Sequence, residues 1–185
     1  MERWVRTVES AVGWLSRIAN GIAALACLLT LALVCYAVAM RYFVGRPLTW
    51  GDEVAGYLVV VTVMLGVAEA QRRGENIGVD VVDERSRFGL VRLVGALSAL
   101  AVGVCAWLFL WEGLQMVAFS RMIGIMSNVL PGLPMWTVQI AVPLGGVLLL
   151  LVAAVQLACW LAGLWPRGLD TAKPGDPGHP LRGHE

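Results

Sequence analysis

Four stretches of this chain carry no charged residue and are long enough to form all or most of a transmembrane helix. They are residues 18–40, 54–68, 93–111 and 122–166. A helix needs about 20 mostly apolar residues to span the hydrocarbon core, so the second stretch must include its charged flanks to reach both interfaces. The mean hydropathy is +0.74 and only 15% of the residues are charged, which excludes a soluble domain of this size. The sequence therefore predicts a membrane protein.

The fourth stretch is too long for a single crossing. Pro131, Gly132 and Pro134 interrupt it, because proline and glycine favour turns over helix. The predicted fold is an all-α membrane protein with four transmembrane helices. Their expected bounds are 18–40, 51–70, 90–114 and 135–162.

Basic residues are distributed unevenly between the segments that flank these helices. With the N-terminus inside, only Arg41, Arg46 and Arg121 fall in outer segments. Because cytoplasmic segments carry an excess of Lys and Arg, both termini are expected to be cytoplasmic. The inner segments hold the other basic residues, which are Arg3, Arg6, Arg17, Arg72, Arg73, Arg85, Arg87, Arg92, Arg167, Lys173 and Arg182.

The two ends of the chain differ in character. In residues 1–17, Trp4, Val8 and Val12 recur at helical spacing with charged residues mostly on the other side, which predicts an amphipathic helix on the inner membrane surface. The alternative is that these residues extend the first transmembrane helix into the cytoplasm. Residues 166–185 are rich in Pro and Gly and poor in apolar residues, so a disordered cytoplasmic tail is expected.

Small residues mark the helix faces that can pack closely, because apolar burial does little to hold helices together in lipid. We expect these faces to pack within the chain, with docking to a partner as the alternative. A separate group, Pro143, Gly145 and Gly146, predicts a kink or a close-packing site rather than an ion site. The regularly spaced small residues are Gly95, Ala99 and Gly103, then Thr62 and Gly66, and then Ala154, Ala158 and Ala162.

Residues that catalysis or cofactor binding would need are few. Both histidines, His179 and His184, lie in the tail, which excludes a bis-histidine haem between the helices. The four cysteines lie in apolar runs without a C-x-x-C pair, and no phosphate-binding loop is present. No catalytic, cofactor or metal site is therefore expected, and neither an enzyme activity nor a nucleic-acid partner.

Ionisable side chains are expected at the helix ends rather than in the middle of the membrane. A solute carrier would place ionisable groups or broken helices near the midplane. The sequence therefore favours a scaffold over a pore. The polar side chains expected inside the helices are all uncharged, namely Thr30, Tyr36, Thr62, Ser98, Gln139 and Gln156.

The segment RYFVGRPLTWGDEV, which begins at Arg41, places several charges between the first two helices. Thr49 is a candidate N-cap for the second helix, and Asp52 and Glu53 complement the positive end of its dipole. Trp50 suits the membrane interface. Arg41 is placed to pair with one of these acids or with a group of another subunit, and the sequence leaves these alternatives open.

Three segments carry patterns that occur together, in order, in one known family. RYFVGRPLTWGDE contains R-Y, a proline and W-x-D-E; LGVAEAQRRGENIGVDVV contains L-G-x-A-x-A-x-R and N-I-x-V-D; and PMWTVQIAVPLGG contains P-x-W and V-P-x-G. Together they resemble the small permease subunit of tripartite ATP-independent periplasmic (TRAP) transporters. Asp52 stands where that family usually has Glu, and Asn76 replaces its usual His, so no proton-linked role is expected there. The resemblance marks a subunit-interface or structural motif made of Arg41, Trp50, Asp52, Glu53, Arg72, Asp80, Pro134, Trp136, Pro143 and Gly145.

The resemblance implies a function that this chain performs with other proteins. Such a small subunit joins a large permease subunit that carries the substrate and sodium sites, and a periplasmic binding protein delivers an organic acid. The expected location is the bacterial inner membrane, in contact with the lipid bilayer. The alternative is a free-standing four-helix membrane protein that acts as a homo-oligomeric carrier or channel.

Overall fold

A computed structural model describes residues 2–74, 88–127 and 132–163. Four of its helical stretches are long and apolar enough to cross a membrane, and the described residues form no β-strand beyond one isolated bridge between Met126 and Pro134. The prediction of an all-α protein with four transmembrane helices is therefore confirmed. The elements are α1 (Glu2–Ala39), a π-helical turn (Met40–Val44), α2 (Gly51–Arg73), α3 (Phe88–Ile123), α4 (Trp136–Gln139) and α5 (Ala141–Leu161).

The N-terminal residues continue directly into the first long helix, as in the alternative that the sequence left open for residues 1–17. α1 runs without a break from Glu2 to Ala39, so residues 2–17 are its first turns and continue the first membrane span. At 1.5 Å per residue this helix is about 57 Å long, well beyond a hydrocarbon core of about 30 Å. α1 must therefore tilt or project from the membrane.

Two further helix bounds differ from those predicted. α3 continues to Ile123 rather than ending near residue 114, and the last span begins with the short helix α4 before α5. The predicted disordered tail over 166–185 and the motif residue Asp80 lie outside the described residues.

The four long helices pack in a row rather than as a closed bundle. α1 packs mainly on α2, α2 packs on α5 and α5 packs on α3, while α1 also makes a smaller contact with α5. The order in space is therefore α1, α2, α5, α3. Two pairs of facing residues show that α2 and α5 run in the same direction. Met64 of α2 faces Gly145 of α5, and Gln71 further along α2 faces Gln156 further along α5. α5 therefore lies between α2 and α3 and also contacts α1, whereas α1 and α3 form the ends of the row.

Glycines allow the closest approaches in this row, as the sequence predicted for α3. A Cβ atom at Gly95 would lie 2.5 Å from Cε2 of Trp160, and one at Gly103 would lie 3.8 Å from Cβ of Ala153. In α2, a Cβ atom at Gly66 would lie 3.9 Å from Cβ of Ala23 in α1. The small-residue faces of α2 and α3 thus pack within the chain.

The alanine face of the last helix does not pack within the chain, which corrects the prediction for that helix. Ala154, Ala158 and Ala162 are exposed. The packed face of α5 instead carries residues of mixed size, because α5 lies between α2 and α3 and fits grooves supplied by its neighbours' small residues. Buried members of that face include Leu149, Val152, Ala153, Gln156, Cys159 and Trp160.

Pro143, Gly145 and Gly146 form the close-packing site that the sequence favoured over an ion site. Gly145 approaches α2 so closely that a Cβ atom would lie 2.5 Å from the carbonyl oxygen of Met64. Gly146 approaches α3, where a Cβ atom would lie 2.9 Å from the amide nitrogen of Leu110. Pro143 lies in the first turn of α5, where a helix lacks an intrahelical partner for the N–H in any case. The three residues join the middle of the row.

Candidate functional site

A buried carboxylate organises one end of α2. Glu69 is 2% exposed. Its carboxylate accepts hydrogen bonds from Arg72, at 2.7 Å from Nε to Oε2 and 2.6 Å from Nη2 to Oε1. Arg73 Nε donates to Oε1 at 2.8 Å, and the hydroxyl of Ser16 in α1 donates to Oε2. We call Ser16, Glu69, Arg72 and Arg73 the Glu69 cluster.

The Glu69 cluster attaches α1 to α2 through a charged group that water hardly reaches. A buried carboxylate is strongly unfavourable unless paired and hydrogen-bonded, and here both oxygens are engaged. Arg72 also lies against α1, since a Cβ atom at Gly13 would be 3.8 Å from its Cδ. The motif residue Arg72 thus has a structural role within this chain.

Sequence reasoning identified Arg72 but missed Glu69 and Ser16. The available signal was the spacing of Glu69, Arg72 and Arg73 at i, i+3 and i+4, which places the three side chains on one helix face. Ser16 gave no comparable signal, because its partner is far away in the sequence.

A pair of glutamines next to this cluster attaches α2 to α5. Gln71 Nε2 donates to Oε1 of Gln156 at 2.9 Å, and Gln156 Nε2 donates to the carbonyl oxygen of Gln71 at 2.9 Å. Both side chains are buried, where an unmade hydrogen bond would be unfavourable. Gln156, predicted as a polar residue inside a helix, therefore joins two helices.

A second polar cluster lies at the other end of α2. Glu53 Oε1 accepts a hydrogen bond from Ser127 Oγ at 2.7 Å and another from the hydroxyl of Tyr57. The Tyr57 hydroxyl also lies 3.3 Å from Sδ of Met135. These four residues, the Glu53 cluster, connect α2 to the segments that flank the turn between α3 and α4.

Backbone hydrogen bonds hold those flanking segments together. Ser127 N donates to Leu133 O at 3.0 Å, and Met135 N donates to Ile125 O at 3.0 Å. The hydroxyl of Thr137 donates to the carbonyl oxygen of Pro134 at 2.7 Å. The motif residue Pro134 therefore lies in the short antiparallel pairing that presents Ser127 to Glu53.

Trp136 joins α4 to α3 through an interaction between a cation and an aromatic ring. The guanidinium carbon of Arg121 lies 5.5 Å from the centroid of the Trp136 ring, within the range of a cation–π contact. Of the motif residues in the last span, Trp136 thus contacts α3 and Gly145 contacts α2. Neither lies beside the Glu69 cluster.

The helix start at α2 differs from the one predicted. The residue before the helix is Trp50, and no side chain caps the first turn, so Thr49 is not the N-cap. Asp52 and Glu53 do lie in the first turn. Arg41 is exposed in the π-helical turn and forms no ion pair with either acid. Within the described chain, the acids and Arg41 are independent of one another.

Glu112 lies in the interior of the candidate span Leu93–Ile123, which corrects the expectation that the carboxylates are at helix ends. Glu112 comes about three turns before the end of α3 at Ile123. Its side chain is exposed. The extension of α3 beyond residue 114 is the reason, because it moves Glu112 from a helix end to a helix interior.

One of three comparisons with known proteins identifies a family for this chain. A model of the family described as tripartite ATP-independent periplasmic transporters, DctQ component, matches residues 30–163. No curated protein matches the chain. No solved structure matches it either. The family match covers well over half of the chain, including the Glu53 cluster, most of the Glu69 cluster and all of α2, α3 and α5. This multi-pass membrane protein belongs to the DctQ component family of the tripartite ATP-independent periplasmic transporters.

Proposed function

We propose that this chain is the small membrane subunit of a TRAP-type secondary transporter in the bacterial inner membrane. It supports a large permease subunit during ion-gradient-driven uptake of an organic acid, which a periplasmic binding protein delivers. The observation that carries this proposal is the family match over residues 30–163. The large permease, and not this chain, holds the substrate and ion sites.

The use of polar side chains within the row supports a scaffold role. Gln71 and Gln156 bond to each other, and Glu69 bonds to its own helix and to α1. Thr30 and Thr62 donate to backbone carbonyl oxygens four residues earlier in their helices. The glutamine pair and the Ser16–Glu69 bond join neighbouring helices, and the threonine hydroxyls are satisfied within their own helices. None of these groups replaces the hydration shell of a solute, as a transport site must.

Arg41 and Trp50 are proposed to contact the other subunits at the outer surface of the membrane, where α1 is connected to α2. Arg41 is exposed beside Tyr42 and Phe43, whose side chains are 78% and 89% exposed. Trp50 is 40% exposed. Arg and aromatic residues are enriched in the centres of protein interfaces. The connection between α1 and α2 carries several of them with their side chains exposed.

The transport test separates this proposal from a free-standing carrier or channel. The purified chain alone, reconstituted in liposomes under a sodium gradient, is expected to take up no dicarboxylate, keto acid or sialic acid above protein-free liposomes. Liposomes that also contain the large permease, with the binding protein added, are the positive control. Sodium-driven uptake by the single chain would assign transport to it and favour the homo-oligomeric alternative.

The proposed orientation has both termini in the cytoplasm, as the distribution of basic residues indicates. In a variant without the native cysteines, a cysteine at position 46 should react with a membrane-impermeant maleimide added to intact spheroplasts. A cysteine at position 86 should react only after the membrane is opened. The reverse pattern would invert the orientation.

A further inference from the structure

Glu112 lies near the middle of the membrane span, as its neighbours on the other helices indicate. A Cβ atom on the adjacent Gly113 would lie 3.1 Å from Cδ of Pro143, and Gly146 contacts Leu110. Gly145 in turn contacts Met64, which lies about 20 Å along α2 from Gly51 and about 14 Å from Arg73. The hydrocarbon core is about 30 Å thick, so this level of α3 lies well inside it.

The side chain of Glu112 points away from the chain's own packing. α3 forms one end of the row, and its buried positions Ala99, Ala106 and Gly113 lie on the side that packs on α5. Glu112 is exposed and forms no hydrogen bond or ion pair with any described residue. The other charged residue of this span, Arg121, is engaged with Trp136.

The neighbours of Glu112 make its surface unlike a lipid-facing one. Trp111 is 53% exposed and Phe119 57% exposed, and Gln115 is exposed one turn from Glu112. Tryptophan in membrane helices is enriched at the interfaces rather than at mid-depth, and hydrocarbon supplies no partner for a carboxylate or an amide. We call Leu108, Trp111, Glu112, Gln115 and Phe119 the α3 outer face.

We propose that the α3 outer face docks a transmembrane helix of the large permease subunit, which presents a basic or hydrogen-bond-donating side chain to Glu112. This inference rests on the proposed function, because it takes the large permease as the partner. The proposal places the contact with the large permease on α3 and on the carboxylate of Glu112.

Charge complementarity distinguishes this occupant from a second copy of the chain. Two copies that share a membrane orientation and a two-fold axis along the membrane normal would bring the same face together at the same depth. Glu112 would then meet Glu112 with no cation at that level, and two ionised carboxylates in a medium of low dielectric constant repel strongly. A different helix that carries a basic side chain neutralises the ionised carboxylate, whereas a second α3 does not.

The test compares Glu112→Leu with the wild-type chain, each tagged and expressed with the large permease and purified in mild detergent. Removal of a carboxylate from mid-membrane depth favours insertion, so the amount of inserted chain should stay equal or rise. Recovery of large permease per inserted chain should fall by at least about tenfold, because truncation leaves the partner's polar group buried without its counterpart. Leu28→Ala, on the exposed face of α1 at the other end of the row, is the matched control and should leave recovery unchanged.

A second measurement locates the contact without disturbing the carboxylate. A photoreactive benzoylphenylalanine at position 115, activated in membranes, should crosslink to the large permease. Crosslinking only to a second copy of the chain, or to no protein, would overturn the inference, as would unchanged recovery with Glu112→Leu. If the wild-type chain itself recovers no large permease, the proposed function fails, and that outcome is distinct from the loss of the contact alone.

Discussion

Glu69→Gln should lower the free energy of unfolding of this protein by about 3 kcal/mol, the low end of the loss expected when one partner of a buried ion pair is removed. Glutamine cannot neutralise Arg72, which would stay largely buried against α1 without its counter-charge. Arg73 contributes less to the effect, because its side chain is 48% exposed and an exposed ion pair adds little. The measurement is reversible unfolding in detergent micelles, followed by helical circular dichroism.

Asp52→Asn is the matched control for Glu69→Gln, because it makes the same change at the other end of α2. Asp52 is exposed in the first turn, so the expected loss is at most about 1 kcal/mol from its interaction with the helix dipole. Equal losses of unfolding free energy in the two variants would show that the burial of Glu69 does not determine its contribution to stability. Ser16→Ala should produce a smaller loss than Glu69→Gln, since it removes one neutral donor and leaves both arginines paired.

Gly145→Ala is expected to destabilise the protein by about 3 kcal/mol, the upper end of the usual range for overpacking a close contact. The new Cβ atom would lie 2.5 Å from the carbonyl oxygen of Met64 and 2.8 Å from its Cβ atom. Neither can move by a side-chain rotation, because both belong to or adjoin the α2 backbone. α2 and α5 must therefore separate, which also weakens the Gln71–Gln156 pair further along the two helices.

Gly56→Ala provides the control for Gly145→Ala within α2. Nothing lies within 4 Å of a Cβ atom at Gly56, and alanine favours helix over glycine by about 1 kcal/mol. This variant should be as stable as wild type or slightly more so. The comparison uses the midpoint of thermal unfolding in detergent, and a loss at Gly56 as large as that at Gly145 would contradict the close-contact explanation.

Hydropathy and short motifs in the sequence were sufficient to predict the class of this protein. Four apolar spans, their approximate order and the family resemblance all follow from residue types within one segment, because a helix in lipid must satisfy its backbone internally whatever its neighbours are. The Pro143, Gly145 and Gly146 group was recognised for the same reason, since small residues and proline limit local packing and backbone geometry directly. Arg72 was selected as part of a motif, although its partner was not.

The arrangement of the helices depended on contacts that no single segment contains. In lipid both faces of a transmembrane helix are apolar, so hydropathy does not distinguish the face that packs on other helices of the chain from the face that lies outside that packing. For this reason the alanine face of α5 was expected to pack inward although it is exposed, and the ionisable side chains were expected at helix ends although Glu112 lies within α3. Ser16 and Glu69 come from different helices, and only their packing shows that the carboxylate is buried. The sequence alone therefore determined that the chain crosses the membrane as four helices of this family, whereas the tertiary structure decided which polar groups those helices bury and which they leave for a partner.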